Sequence, residues 1–347
     1  MVYLLDPAGV KIRQLGEAPM ARTSHSSDRD MMRLVAELYY MRELRQPEIA
    51  ELTGFSISKV SRLLTQARAI GIVRISVEPM PEHRPALALD LGSRLGVTFE
   101  IAPGREGDAG TAARMAGVAA ADWFVKALPL EGNIGVSAGY TVSAMATALP
   151  QLRHPELTVL PVVGGWDTQN LYLDGNELCR RIAERLGCRS LALHAPAVLD
   201  SEAMKDALMT DTTVAAATDH WKHLELAVLG VGSGPSWRSP YRTALDRLGE
   251  SAREDLVGLG AVGDIAGWSF RIDGSIIDGV YSRRMVAIPV AYLRKVKHVI
   301  AVAAGPIKVQ ALIGAIRTGI VHTIVTDRPT AEGIARALEA EEAPATR

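Results

Sequence analysis

Hydroxyl and cationic side chains are concentrated in one short stretch of this 347-residue chain, residues 55–75. The stretch holds four cations and no acid, and Ser58, Lys59, Ser61 and Arg62 can share the outward face of a helix. Short hydroxyls can reach phosphates, and lysine and arginine can reach phosphates or the edges of guanines. The stretch therefore indicates an anion-binding face, to which a solvated helix face is an equal alternative on charge alone.

The residues around this stretch predict a helix–turn–helix. Pro47 suits the first position of a helix, where its missing N–H costs nothing, and Gly54 lets the chain turn sharply. Ser56 then caps a third helix that Gly71 ends, and the alternating sequence IVRISV predicts a wing-like strand. The alternative is a helical hairpin that only packs against the rest of the protein. The predicted DNA-binding residues are Gln46 and Ser56 on backbone phosphates, and Ser58, Lys59, Ser61 and Arg62 in the major groove.

Apolar residues at helical spacing predict which faces of these helices are buried. The exposed half of the third helix then carries the hydroxyls and cations, as a recognition helix requires. The predicted inward residues are Ile49, Ala50 and Leu52 in the second helix, and Ile57, Val60, Leu63 and Leu64 in the third.

The larger part of the chain predicts a doubly wound α/β domain with a mainly parallel sheet, because apolar strands alternate with amphipathic helices. We expect three regions: a tail over 1–27, a winged helix–turn–helix over 28–80, and an effector and oligomerisation domain over 81–347. The predicted strands are 133–137, 157–163, 190–196, 224–231, 285–290, 298–304 and 322–327. The predicted helices are 85–96, 111–128, 141–149, 176–187, 306–318 and 329–341.

Glycines and polar residues follow several of these strands, where an α/β sheet binds its ligands. Glycine lets backbone N–H groups approach an anion, and Lys308 in the first turn of a helix would oppose the helix dipole without an anionic partner. Taken singly, each glycine is more simply a turn residue. Together the loops favour a pocket for a small phosphorylated or polyhydroxylated ligand.

Composition narrows the class of protein. The net charge is −1 and there are 2 cysteines, so a nucleic-acid coat and a disulfide framework are both excluded and a reducing cytoplasm fits. We find no apolar run of about 18 residues that could span a membrane. The N-terminal sequence MVYLLDPAGVK is a poor signal peptide.

Enzyme chemistry and metal binding have little support in the sequence. The turn at 230–240 contains no histidine and no carboxylate that could serve acid–base catalysis, and Pro235 and Trp237 break any dinucleotide-binding fingerprint. His220 and His223 have no third metal ligand nearby in sequence. We therefore predict no catalytic residues, no metal and no cofactor, and Cys179 and Cys188 as buried thiols.

The chain resembles the SorC-type transcriptional regulators of the wider DeoR-like group over about residues 30–338. The resemblance is carried by QPEIAELTGFSISKVSRLLTQARAIGIVRISV, IGVSAGYTV, VLPVVGG, GNELCRRIAERLG, GAVGDIAGWSFRIDG and VIAVAAGPIKVQALIGAIRTGIVHTIVTD. It implies a sugar-responsive repressor or activator, usually tetrameric, whose effector domain is related to sugar-phosphate isomerases and deaminases. It also implies effector contacts at Gly139–Thr141, Gly164–Gly165, Asp264 and Lys308.

One position departs from the common pattern of the family. Tyr140 stands where a small residue is often found, which favours a smaller or less phosphorylated effector. The predicted effector-binding residues are Ser137, Gly139, Tyr140, Thr141, Gly164, Gly165, Asn176, Gly232, Ser233, Asp264 and Lys308.

The sequence thus predicts a cytoplasmic DNA-binding regulator of a carbohydrate or sugar-alcohol catabolic operon. Its expected partners are operator DNA, an effector that is a sugar, polyol or sugar phosphate, and further copies of itself in a dimer or tetramer, with no membrane. A sugar-phosphate isomerase or deaminase is the alternative, and a non-catalytic interaction protein is a second one.

Overall fold

The computed structural model describes residues 24–73, 86–104, 109–166, 173–234 and 250–342. The chain divides into two compact units, Met1–Glu82 and His83–Arg347. Among the described residues no helix is both long and apolar enough to cross a membrane.

Three α-helices and a short π-helix make up the described part of the first unit. Gly54, in the left-handed region with φ 72°, ends the second helix, and its N–H donates to the carbonyl of Ala50 at 2.9 Å. Ser56 begins the third, because its Oγ accepts the N–H of Lys59 at 3.2 Å. The helices are α1 (Ser24–Ala36), α2 (Gln46–Thr53) and α3 (Ile57–Ala69), and the π-helix is Glu37–Met41.

The core of this unit follows the predicted helical spacing with two exceptions. Leu52 is 66% exposed and Ile57 is 52% exposed, so neither faces inward as expected. Both lie at helix ends next to the turn, where the partner helix no longer covers them. Most of the predicted wing strand lies outside the described residues. The buried residues are Val35, Ala36, Ile49, Val60, Leu63, Leu64 and Ala67.

Nine strands form the sheet of the second unit, in the order β1-β9-β8-β5-β2-β3-β4, and all neighbours in this order are parallel. An antiparallel hairpin, β6–β7, pairs with the end of β5. The strands are β1 (Thr98–Ala102), β2 (Gly132–Val136), β3 (Leu157–Pro161), β4 (Arg189–Ser190), β5 (Leu224–Gly232), β6 (Gly263–Ile265), β7 (Trp268–Phe270), β8 (His298–Val302) and β9 (Thr323–Asp327).

Helices cover the central strands, whose side chains are buried along nearly their whole length, as in other parallel sheets. The separate apolar clusters of this unit are built on these strands and the helices that follow them. The helices are α4 (Ala86–Leu95), α5 (Ala109–Lys126), α6 (Tyr140–Ala148), α7 (Gly175–Leu186), α8 (Glu202–Met209), α9 (Thr212–Asp219), α10 (Glu250–Gly258), α11 (Val280–Arg283), α12 (Val290–Leu293), α13 (Val309–Arg317) and α14 (Arg328–Glu342).

The predicted parallel α/β architecture is confirmed, but some strands were wrongly assigned. Only Arg189–Ser190 of the 190–196 region pairs as a strand, and 285–290 makes isolated bridges to Val163 and Val198. Val286 and Ile288 are fully buried there without a continuous ladder. The edge strand β1 and the hairpin β6–β7 were not predicted.

Candidate functional site

A cavity of about 470 Å³ opens at the carboxyl ends of the central strands. β2 and β5 are neighbours, yet the chain continues from β2 to β3 on one side and from β5 to β8 on the other, which leaves a crevice between their loops. Small apolar residues form much of its wall. These include Ala109, Ala113, Ala138, Ala144, Ala266, Ala303 and Ala304.

The carboxyl group of Asp264 lies at this cavity in the middle of β6, with 8% of the residue exposed. Its Oδ1 has no hydrogen-bond partner within the part of the chain that the structure describes. Burial raises the pKa of Asp264 to about 7, and the charge of Lys308 opposes this rise. Because an unsatisfied buried oxygen is costly, this atom is suited to accept a hydrogen bond from a ligand hydroxyl.

Lys308 brings a cation to the same cavity. Its Nζ donates to the carbonyl of Val231 at 2.8 Å, which leaves two of its three donor positions for other acceptors. Burial lowers the pKa of Lys308, and the nearby Asp264 opposes this change. An ammonium beside a carboxyl group can bind adjacent hydroxyls of one molecule from two sides.

The position of Lys308 is fixed by the turn that follows β8. Gly305 adopts φ +105°, and its N–H points to Asp327 Oδ1 and Thr330 Oγ1 at 2.9 Å each. The 3₁₀ turn Pro306–Lys308 follows at once and leads into α13. The end of β9 therefore orients the lysine through a buried hydrogen-bond network.

Gly232 at the end of β5 makes room for Asp264. The two residues are paired across β5 and β6, and a Cβ atom on Gly232 would lie 1.7 Å from Asp264 Oδ1. Any side chain at this position would displace the carboxyl group from the cavity. Gly232 thus shapes the site by the volume that it leaves empty.

The loop after β2 supplies hydroxyl groups. Ser137 lines the cavity, and its Oγ accepts the N–H of Gly230 at 2.8 Å, which ties this loop to β5. Gly139, Tyr140 and Thr141 follow at the start of α6 and also line the cavity, with Tyr140 62% exposed. This loop can offer hydroxyls and the first backbone N–H groups of α6.

Among the lining residues that sequence reasoning missed, Arg114 and Trp166 have the largest side chains with polar groups. Arg114 lies in α5, and its Nη2 donates to Thr111 Oγ1 at 2.7 Å. A usable signal was present, because Arg114 is the one cation between positions 109 and 125 of an alanine-rich helix. Trp166 follows the Gly164–Gly165 pair.

Four predicted effector residues lie outside the cavity lining. The N–H groups of Gly164 and Gly165 donate to the carbonyls of Val286 and Ala195, at 2.9 and 2.8 Å. A Cβ on Gly164 would lie 2.5 Å from the carbonyl oxygen of Pro196, so close packing explains this glycine.

Asn176 and Ser233 are the other two predicted effector residues outside the cavity lining. The Asn176 amide bonds the backbone of Leu193 twice, at 2.8 and 3.2 Å, so its polar atoms are used inside the protein. Ser233 follows β5 directly, and its buried Oγ has no partner among residues that the structure describes.

The predicted DNA-binding residues lie on and beside α3. Ser58, Ser61 and Arg62 are exposed, whereas Lys59 is half-buried with its Nζ 4.1 Å from the ring centroid of Phe55. Gln46 is the half-buried first residue of α2, and the exposed Ser56 caps α3. The structure therefore places Ser58, Ser61 and Arg62 on the exposed side of α3, with Ser56 at its start, whereas Gln46 belongs to α2 and Lys59 packs against Phe55.

No group of three or more histidine, cysteine or carboxylate side chains able to hold a metal is found within the described ranges. His220 Nδ1 lies 3.2 Å from Asn133 Oδ1, at the amino end of the sheet. Cys179 is buried, but Cys188 is only half-buried, which differs from the prediction for this thiol. Burial raises the pKa of Cys188 to about 11.

Comparison with known proteins identifies relatives along most of the chain. The sorbitol operon regulator of Klebsiella pneumoniae is 27% identical over 317 residues, which cover 89% of this chain and 98% of that protein. The erythritol catabolism regulatory protein EryD of Brucella abortus is 24% identical over 302 residues, covering 86% and 94% of the two chains.

The same likeness is found in three dimensions. The crystal structure of the full-length sorbitol operon regulator SorC from Klebsiella pneumoniae superposes with a TM-score of 0.70 at 26% identity, over 88% of this chain and 98% of that one. The family model described as "Putative sugar-binding domain" matches residues 83–336, well over half of the chain. The chain therefore belongs to the sugar-binding domain family that is found in SorC-like and DeoR-like transcriptional regulators.

Proposed function

We propose that the protein is a transcriptional regulator that binds operator DNA through its N-terminal unit and a sugar, polyol or sugar phosphate through the cavity. Its relatives are named as regulators of sorbitol and erythritol operons, which favours this function over a sugar-phosphate isomerase or deaminase. The regulated genes would belong to carbohydrate or sugar-alcohol catabolism, and the site of action would be the cytoplasm.

One observation carries the effector part of the proposal: Asp264 and Lys308 line the same cavity, and the buried Oδ1 of Asp264 has no partner among the described residues. A carboxyl group and an ammonium at one cavity suit a polyhydroxylated ligand, whose hydroxyls can donate to the first and accept from the second. Alanine walls suit the C–H faces of a sugar or polyol. A cavity of about 470 Å³ is also within the usual range for a small-molecule site.

The DNA-binding part of the proposal rests on α2, the turn at Gly54 and α3, which we assign as a winged helix–turn–helix. The exposed hydroxyls and cations of α3 would enter the major groove. One such domain makes few contacts, so binding requires a homodimer or homotetramer that reads repeated half-sites. The effector must bind the DNA-competent and DNA-incompetent assemblies with different affinities, because otherwise it shifts no equilibrium.

Replacing Arg62 by alanine tests the DNA-binding face. We expect Arg62→Ala to weaken binding to a selected duplex by about 1–3 kcal/mol, measured by gel shift, with the oligomer mass unchanged. Arg189→Ala is the control, because it removes an exposed cation from β4 in the other unit. Equal affinities of Arg62→Ala and wild type would remove Arg62 from the interface.

Replacing Lys308 by alanine tests the effector site. A thermal-shift screen with sugars, polyols and their phosphates first identifies a stabilising compound. We expect Lys308→Ala to lose that stabilisation while keeping DNA binding. Lys297→Ala is the control, because Lys297 is exposed and pairs with Glu225 at the opposite end of β5. An unchanged effector titration in Lys308→Ala would argue against the proposed site.

A further inference from the structure

We propose that Ile57 recognises the 5-methyl group of thymine in the DNA site. The inference rests on the proposed function, because it requires α3 to be the recognition helix. Ile57 is the first residue of α3 and is 52% exposed, although apolar spacing placed it in the core. Ser56 caps the helix at this point, so the backbone that carries the exposed side chain is fixed.

Ile57 belongs to the same exposed surface as the predicted DNA-binding residues. Residues four apart lie one helix turn apart, so Ile57 is adjacent to Ser61 along one edge of the exposed face. Ser58 and Arg62 form the parallel row beside it. Leu63 and Ala67 are buried on the side of the helix opposite Ser58 and Ser61, and Ile57 lies at the boundary between the buried and the exposed face.

The charges on α3 favour DNA as the molecule that covers Ile57. The helix carries three cations and no acid, and Ser56, Ser58 and Ser61 are near Ile57 in the sequence. The core of a protein–protein interface is depleted in charged residues, whereas a DNA-binding helix mixes cations and hydroxyls with isolated apolar contacts. The thymine methyl is the apolar group that base pairs present in the major groove, so it is the matching partner for an isolated branched side chain.

The position of Lys59 leaves other residues at the exposed start of α3. Its ammonium lies over the Phe55 ring at 4.1 Å, beside the turn that precedes α3. The exposed N-terminal positions of α3 are therefore Ile57 and Ser58. These positions are the ones from which a recognition helix reaches base edges.

The test compares thymine with uracil, which lacks only the methyl group. The full-length protein selects duplexes from a random library, and each thymine of a selected duplex is then replaced singly by uracil. We expect wild-type binding to weaken about three- to fivefold at one thymine per half-site, the equivalent of burying one methyl group. Ile57→Ala should bind the thymine and uracil duplexes equally, and Ile57→Val should keep part of the preference.

Leu52→Ala is the matched control, because Leu52 is an exposed apolar residue of α2 outside α3. It should keep the wild-type ratio of thymine to uracil affinity. A wild-type ratio in Ile57→Ala, with circular dichroism showing a folded protein, would overturn the inference. A changed oligomer mass in Ile57→Ala with unchanged DNA affinity would also overturn it, and would assign Ile57 to a protein interface. If the wild type selects no duplex at all, the proposed DNA-binding function itself fails.

Discussion

Asp264, Lys308 and Gly232 show how single residues shape the candidate site at a sheet edge. The aspartate and lysine supply opposite charges, each weakened by burial, and the glycine leaves the space that the aspartate occupies. Within the described residues, one carboxyl oxygen is left without a hydrogen bond. Such an arrangement stabilises the complex with a ligand more than it stabilises the free protein.

The raised pKa of Asp264 predicts a pH-dependent stability. Between about pH 4 and pH 7 the native protein holds a proton that the unfolded chain releases, so the free energy of unfolding falls as the pH rises. Asp264→Asn cannot ionise, and it should gain up to about 4 kcal/mol relative to wild type across this interval. Urea denaturation at several pH values measures the difference, and Asp255→Asn, at an exposed position of α10, is the control. A difference that stays constant with pH would contradict the expectation.

We expect Gly232→Ala to disturb the candidate site, because the new side chain would fill the space beside Asp264. The new Cβ would force the carboxyl group out of place, at a cost of about 1–3 kcal/mol, and the stabilisation by an effector should disappear. Gly165→Ala is the control, because Gly165 lies outside the cavity lining and its nearest contact would be Ala195 O at an ordinary 3.8 Å. Thermal shift with an effector measures both variants. Retained stabilisation in Gly232→Ala would show that Asp264 does not hold the ligand.

At the scale of elements, periodic segments were predictable and irregular ones were not. The long helices α5, α7 and α14 and the buried strands β2, β5, β8 and β9 follow clear apolar patterns. The stretch MVAIPV is equally apolar, but it is buried between loops, and apolar content alone does not distinguish these cases. The strands β6 and β7 have three residues each, too few for a period to appear.

The candidate site, too, was predictable only where a sequence pattern marks it. The loops after β2, β5 and β8 were predicted from glycines that follow apolar strands, and their meeting follows from the parallel sheet. Asp264 was placed in the site only by family resemblance, because its hairpin has no pattern of its own. Gly164 and Gly165 carry the same glycine signal, yet their amides bond neighbouring carbonyls and do not face the cavity.

The turn between α2 and α3 leads to a testable prediction about Gly54. Gly54 has φ 72°, and a Cβ added there would meet no atom within 4 Å, so Gly54→Ala adds backbone strain without a clash. We expect a loss of about 1–2 kcal/mol, seen as faster hydrogen exchange of the α2 and α3 amides. Gly258→Ala in α10 is the control, because a Cβ there also meets no atom and φ is not positive. Unchanged exchange in Gly54→Ala would contradict this account of the turn.

At the scale of the whole molecule, a nearly neutral chain concentrates positive charge on one helix. The net charge of −1 gives no general attraction to DNA, so the proposed DNA binding would depend on the local face of α3. The cavity proposed to bind the effector belongs to the second unit, which is built on a separate core. Regulation then requires that effector binding change the assembly that presents the N-terminal units.

Salt dependence tests this distribution of charge. If an assembly neutralises about six phosphates, raising the salt concentration from about 50 to 200 mM should weaken DNA binding roughly a thousandfold. Fluorescence anisotropy with a selected duplex measures the slope. Arg189→Ala should leave the slope unchanged, because Arg189 belongs to the second unit. A flat salt dependence in the wild type would mean that phosphate contacts do not drive binding.

The alanines that line the cavity are positions at which its size and shape can be changed. Enlarging any one of them by a methyl or methylene group would trim the cavity from one side while leaving Asp264 and Lys308 as a common anchor. A library of such substitutions could therefore be screened for new effectors without any change in α3. Under the proposed function, such variants would respond to small polyhydroxylated molecules of different sizes.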